Sequence, residues 1–188
     1  MTRDLSYPTL IDRLGAAPMG VVGRSSIEYL RAVFLAFEKG ETVVTLRSEE
    51  DEERISASRP SRIEVPGDTT GWVSGVEYVR RGGEEIAQIL FTSGTEGASK
   101  GILLSHRALA NTADRLESVM RLDDTVREYV GIPVHFSFGF GRCRSVLQAG
   151  GSVYLPPEGF NPVEIVDLLR EGRINAVSAV PTLWRLVL

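Results

Sequence analysis

Cysteine is nearly absent from this sequence: Cys143 is the only one in 188 residues. An intrachain disulfide is therefore excluded, and with two histidines in the chain no Cys/His cluster has the spacing of a structural zinc site. That pattern suits a reducing compartment, and we expect a cytoplasmic protein. Long apolar runs are also missing. None approaches the length that crosses a bilayer, and Met1 to Ser6 lacks the basic stretch and apolar core of an export signal. The chain reads as soluble and unprocessed, with no membrane partner. Positive charge is not in excess either: 21 Lys plus Arg stand against 25 Asp plus Glu, a formal net charge of -4. Without an overall basic field nucleic acid is not an expected partner, and an anionic ligand would need a local site.

What is present describes an ordinary folded domain, with 43% hydrophobic and 24% charged residues. Apolar runs alternate with helical patterns from Gly20 onward. A short strand at Val21-Val22 precedes a helix over Ser26 to Lys39. Ser25 followed by Glu28 reads as its capping box, Tyr29, Leu30, Val33, Phe34 and Phe37 as its apolar face, and Gly40 as its stop. Val43 to Leu46 reads as a strand. The acidic run Glu49 to Glu53 suits a solvated helix face near an amino end, where carboxylates complement the helix dipole. The Pro- and Gly-punctuated stretch Arg59 to Glu85 reads as loops and short strands.

The second half alternates more clearly. It predicts strands at Ile86 to Phe91, Ile102 to Leu104, Tyr129 to Ile132, Ser152 to Leu155 and Ala176 to Val180. Between them fall helices at His106 to Met120, capped by Ser105, at Gly139 to Gln148 and at Pro162 to Arg170. Such alternation implies an α/β fold, a layered, parallel-rich sheet with crossover helices. Pro181 to Leu188 reads as a helix that has just begun.

The strongest chemical signal follows the strand at Ile86 to Leu90. Within Thr92-Ser93-Gly94-Thr95-Glu96-Gly97-Ala98-Ser99-Lys100-Gly101 lie three glycines, several hydroxyls and a lysine. Glycines let backbone N–H groups approach phosphate oxygens, hydroxyls donate further hydrogen bonds and the lysine adds charge, so the segment suits a polyphosphate. It is not the Walker loop, because Lys100-Gly101 leads into the strand Ile102-Leu103-Leu104 and not directly into a helix. Taken alone, such a segment reads better as a flexible Gly/Ser turn between two strands; its surroundings reverse that and favour the phosphate loop.

Those ten residues resemble the signature Thr-Ser-Gly-Thr-Thr-Gly-x-Pro-Lys-Gly of adenylate-forming enzymes, the family of acyl-CoA synthetases and peptide-synthetase adenylation domains. Seven of nine specified positions match; Glu96 replaces a threonine and Ser99 a proline. Glu96 sets a negative charge in a loop expected to meet phosphates, whereas Ser99 mainly relaxes the backbone. Val21 to Leu46, Gly131 to Gly139, Gly150 to Leu155 and Val180 to Thr182 resemble other segments of the family in the expected order. The resemblance implies part of the large amino-terminal domain over residues 1–188, without the carboxy-terminal domain.

It further implies that Thr92, Ser93, Gly94, Thr95, Gly97 and Lys100 bind the phosphates of ATP, that Mg accompanies the nucleotide, and that a carboxylic acid is converted to an acyl-adenylate for transfer to CoA or a carrier-protein thiol. His135 would border the acyl site; its plainer reading is a half-buried histidine among Phe136, Phe138 and Phe140. No catalytic residue or metal ligand is assigned. We expect the isolated chain to be incomplete, a piece of the synthetase that pairs with a complementary chain or with itself. The alternative is a noncatalytic binding or assembly module built on the same fold. His106 is expected to finish a helix start, and Cys143 to be a packed thiol.

Overall fold

The computed structural model describes residues 14–75, 83–92 and 100–185. In chain order the elements are β1 (Met19–Val22), α1 (Ile27–Lys39), β2 (Val43–Leu46), α2 (Glu52–Ser58), β3 (Arg62–Glu64), β4 (Gly71–Val73), β5 (Ile86–Thr92) and β6 (Lys100–Ser105). They continue with α3 (His106–Met120), β7 (Arg127–Val130), α4 (Ser137–Gln148), β8 (Ser152–Leu155), α5 (Pro162–Arg170), β9 (Ala176–Ser178) and α6 (Pro181–Trp184). The strands divide between two sheets, a five-stranded one in the order β3-β1-β2-β5-β6 and a four-stranded one in the order β4-β8-β7-β9.

Most pairings are parallel, as alternation of strand and helix requires. Two are antiparallel. β5 turns back into β6, and β4 closes one edge of the second sheet against β8. The β5–β6 departure has a simple cause: β5 ends at Thr92 and β6 begins at Lys100, whereas a parallel return needs a dozen or more residues.

The main core lies between the sheets. There Leu30, Val33 and Phe37 of α1, Leu109 of α3 and Phe140, Cys143 and Val146 of α4 pack with Val21, Val43, Val153 and Leu155 from the strands. Each fully buried large side chain of this kind stabilises by about 1.5–3 kcal/mol. The outer face of the first sheet (Val44, Leu46, Ile89) meets Ile55 of α2, and the outer face of the second (Tyr129) meets Ile165 and Leu168 of α5. The result is a layered α/β arrangement with helices inside and outside the two sheets. Among the described residues no helix is long and apolar enough to cross a membrane.

The ends of α1 correct one detail of the sequence reading. Ser26, not Ser25, is its cap, with Oγ accepting from the Tyr29 N–H at 3.2 Å. Glu28 does not reach back to close a capping box; its carboxylate accepts from the Thr69 N–H at 3.0 Å, pinning the loop before β4. Gly40 ends the helix in the left-handed region at φ 75°, as expected. Ser105 caps α3, accepting from the Ala108 N–H. His106 is buried at the start of α3, edge-on to Phe37.

The acidic run also differs from expectation at one position. Asp51 is buried at the start of α2, where its carboxylate accepts from the Arg47 side chain at 2.6 and 3.1 Å and from the Arg47 backbone at 2.9 Å. It also pairs with Arg54 at 3.5 Å. The helix start brings both arginines over Asp51, and with them paired the carboxylate can leave solvent.

Candidate functional site

Parallel strands end together, and ligands of α/β proteins gather outside those carboxyl ends. In the first sheet β1, β2 and β5 run parallel, ending at Val22, Leu46 and Thr92; in the second β7, β8 and β9 do the same. The two edges lie side by side, since the loop after β7 packs on the turn after β1: Ser25 Oγ accepts from the Val134 N–H at 3.3 Å.

Thr92 closes β5 and Lys100 opens β6, and the two face each other as the last pair of the antiparallel ladder. Thr92 Oγ1 donates to the Lys100 carbonyl at 3.5 Å, and both residues are exposed. The ladder therefore pinches the two ends of the glycine-rich segment together at the carboxyl edge of the parallel strands. Ser93, Gly94, Thr95 and Gly97, with Glu96 and Ser99, lie outside the described residues.

Beneath Thr92, Phe91 carries the Arg54 guanidinium 5.3 Å from its ring centroid. Arg54 Nη1 donates to the Thr45 carbonyl at 2.9 Å. Burial would raise the Asp51 carboxyl, but the hydrogen bonds from Arg47 and the charges of Arg47 and Arg54 outweigh it and hold the group below its ordinary range. This cluster ties α2 to the end of β2.

His135 sits in the loop between β7 and α4 at the same edge, half-buried. Its ring stacks obliquely on Phe136, with centroids 4.5 Å apart, and meets the edge of Tyr29 at 6.5 Å. Burial lowers its pKa; the adjoining Arg24 backbone opposes this, and the Arg54 charge adds to it. Phe136 and Phe138 are largely exposed beside it, while Phe140 turns inward to the core. The structure thus brings Thr92, Lys100 and His135 to one edge of the molecule. Cys143 is fully buried in α4, its thiol pushed well up by burial and then by the nearby Glu128 charge, consistent with a packed group.

Sequence reasoning gave Ser25 to a cap and Tyr29 to the apolar face of α1 and did not single out Gly23; the support that all three give the His135 loop went unread. The tandem Ser25-Ser26 directly after a strand was the available signal, since one serine suffices for a cap. Among the described residues no group of three or more His, Cys, Asp or Glu side chains is arranged to hold a metal ion.

Comparison with known proteins gives a consistent answer. A sequence model described as AMP-binding enzyme matches residues 21–188. Among curated relatives, the AMB antimetabolite synthetase AmbE of Pseudomonas aeruginosa is 30% identical over 120 residues, 61% of this chain and 6% of its own length. The putative acyl-CoA synthetase YngI of Bacillus subtilis is 29% identical over 103 residues, 54% of this chain and 18% of its own. Among solved structures, ATP-bound MatB from Rhodopseudomonas palustris superposes with a TM-score of 0.74 at 21% identity, covering 96% of this chain and 43% of that one. A malonyl-CoA ligase with methylmalonyl-CoA and AMP bound gives 0.74 at 25% identity, covering 95% and 42%. The chain therefore spans less than half the length of each of these proteins.

Proposed function

The chain belongs to the AMP-binding enzyme family, and from that membership we propose that it supplies the phosphate-holding part of an ATP-dependent carboxylate-activating ligase. In that reaction a carboxylate oxygen attacks the α-phosphorus of ATP, the bond to the bridging oxygen of the β-phosphate breaks, and acyl-adenylate and pyrophosphate result. The acyl group then passes to the thiol of CoA or of a carrier protein.

The observation that carries this reading is the β5–β6 hairpin, whose last pair, Thr92 and Lys100, brackets the glycine- and hydroxyl-rich segment at the carboxyl edge of parallel strands. A carboxylate must approach an already anionic triphosphate. In our reading the Thr92, Ser93 and Thr95 hydroxyls, backbone N–H groups at Gly94 and Gly97, and the Lys100 ammonium hold the β- and γ-phosphates and the departing pyrophosphate. Magnesium would enter with the nucleotide, held by phosphate oxygens and water, as its preference for a mostly hydrated shell suggests. His135, with Phe136 and Phe138 exposed beside it, would border the carboxylate substrate. The name of the relative YngI, a putative acyl-CoA synthetase, supports transfer to a CoA thiol, with a carrier-protein thiol as the alternative acceptor.

Calorimetric titration of the chain with ATP in magnesium tests the reading. We expect one nucleotide per chain and an affinity lowered on the order of tenfold in Lys100→Ala, the loss of one charge-assisted hydrogen bond. A folded chain that binds ATP equally well with and without Lys100 would overturn it.

A further inference from the structure

The β7–α4 loop makes its anchoring contacts with the first βα unit of the chain, more than a hundred residues earlier. Ser25 is free of capping duty because Ser26 performs it, and its Oγ takes the Val134 N–H instead. Val134 is fully buried, so this N–H needs a partner. Gly23 lies directly under the imidazole: a Cβ there would fall 2.9 Å from His135 Cγ and 3.0 Å from its Cβ and Cδ2, closer than such contacts are found. Gly23 is itself fixed, its N–H donating to the Leu46 carbonyl at 2.8 Å. The third support, Tyr29, is fully buried and tied through its hydroxyl to Thr45 Oγ1 at 2.9 Å.

We propose that Gly23 and Ser25 are positioning residues that set the orientation of His135, and through it the shape of the carboxylate-binding side of the site. The functional half of this proposal rests on the ligase reading; the geometric half does not. Gly23 is required for close approach, since any side chain there must displace the ring. Ser25 fixes the loop backbone one residue before the ring, so losing its hydroxyl leaves a buried N–H unpaired and frees the loop to shift. In evolutionary variants a side chain at position 23 would alter acyl choice without touching the acyl group. Among the described residues, the charged and titratable groups at the ring include Arg24, whose backbone adjoins it, Arg54, whose charge reaches it, and Tyr29, whose phenol burial pushes up to about 12.

The two histidines make this readable by nuclear magnetic resonance on the full chain with ¹⁵N-labelled imidazoles, His106 at the start of α3 serving as an internal control. In Gly23→Ala and Ser25→Ala we expect His135 ring shifts and tautomer balance to change, and its titration midpoint to rise as the ring gains solvent, while the His106 signals stay in place; Ser25→Thr restores the wild-type spectrum. Unchanged His135 signals in both alanine variants would overturn the proposal, as would His106 signals that change in step with them, which marks general loosening. Failure of the wild-type chain to bind ATP, with His135 responding as expected, would refute the ligase reading and the functional half while leaving the positioning geometry standing.

Discussion

Replacing Arg142 with methionine should be strongly destabilising. Arg142 forms a two-pronged pair with Glu128 of β7, Nε to Oε1 at 3.0 Å and Nη2 to Oε2 at 2.5 Å, and its remaining nitrogen reaches Met120 Sδ at 2.8 Å. The side chains are 3% and 0% exposed. Methionine keeps much of the volume but leaves the Glu128 carboxylate buried without its cation, and breaking a pair from one side costs about 3–5 kcal/mol. Replacing both partners, Glu128→Leu with Arg142→Met, removes the stranded charge, so most of that loss should return. For a chain of this length 1 kcal/mol corresponds to roughly 2–4 °C in Tm. Urea and thermal unfolding at neutral pH of the wild type, the single variant and the double variant provide the assay. A single variant within about 1 kcal/mol of wild type, or a double variant worse than the single, would refute the reasoning that the pair matters through burial and mutual neutralisation.

Three further outcomes follow from the same structure. Ser26→Ala should lower stability by about 1 kcal/mol through loss of the α1 cap, measured by urea unfolding. Asp51→Asn should destabilise by about 2 kcal/mol at neutral pH, since charge-assisted hydrogen bonds are exchanged for weaker ones. Because the folded carboxyl titrates below its ordinary value of 3.8, its contribution is complete above that pH and is lost as pH falls through the depressed value; unfolding across pH 2–7 should therefore show the wild type and variant converging only in acid. Cys143, buried with its thiol pushed up, should react with a thiol reagent only as fast as the chain opens, and immediate native-state labelling would contradict its packing.

Long periodic stretches were the legible part of the fold. The apolar face of α1, the Ser105 cap of α3, β8 and α5 all lie where spacing predicts them. Their burial follows from local pattern. The reversal of β5 into β6 was harder to read, because both flanks resemble parallel strands; the shortness of their connection held the information. The choice between Ser25 and Ser26 could not be made locally either, as both residues can cap. It is decided by Val134, which needs an acceptor and lies 109 residues away. Asp51 looked like one more solvated acid because its arginines, at 47 and 54, are brought over it by the start of α2. For the site, the segment from Thr92 to Lys100 announced itself by composition. The support of His135 by Gly23 and Tyr29 did not, since close approach across two sheets leaves no periodic trace.

The central claim is that the segment between β5 and β6 meets phosphate, and the charge of Glu96 tests it most directly. Titrating MgATP into the wild-type chain and into Glu96→Thr, with both shown to be folded, should give tighter binding in the variant, on the order of tenfold for removal of one like charge near the phosphates. Equal affinity in the two proteins, or no nucleotide binding by either, would contradict the claim.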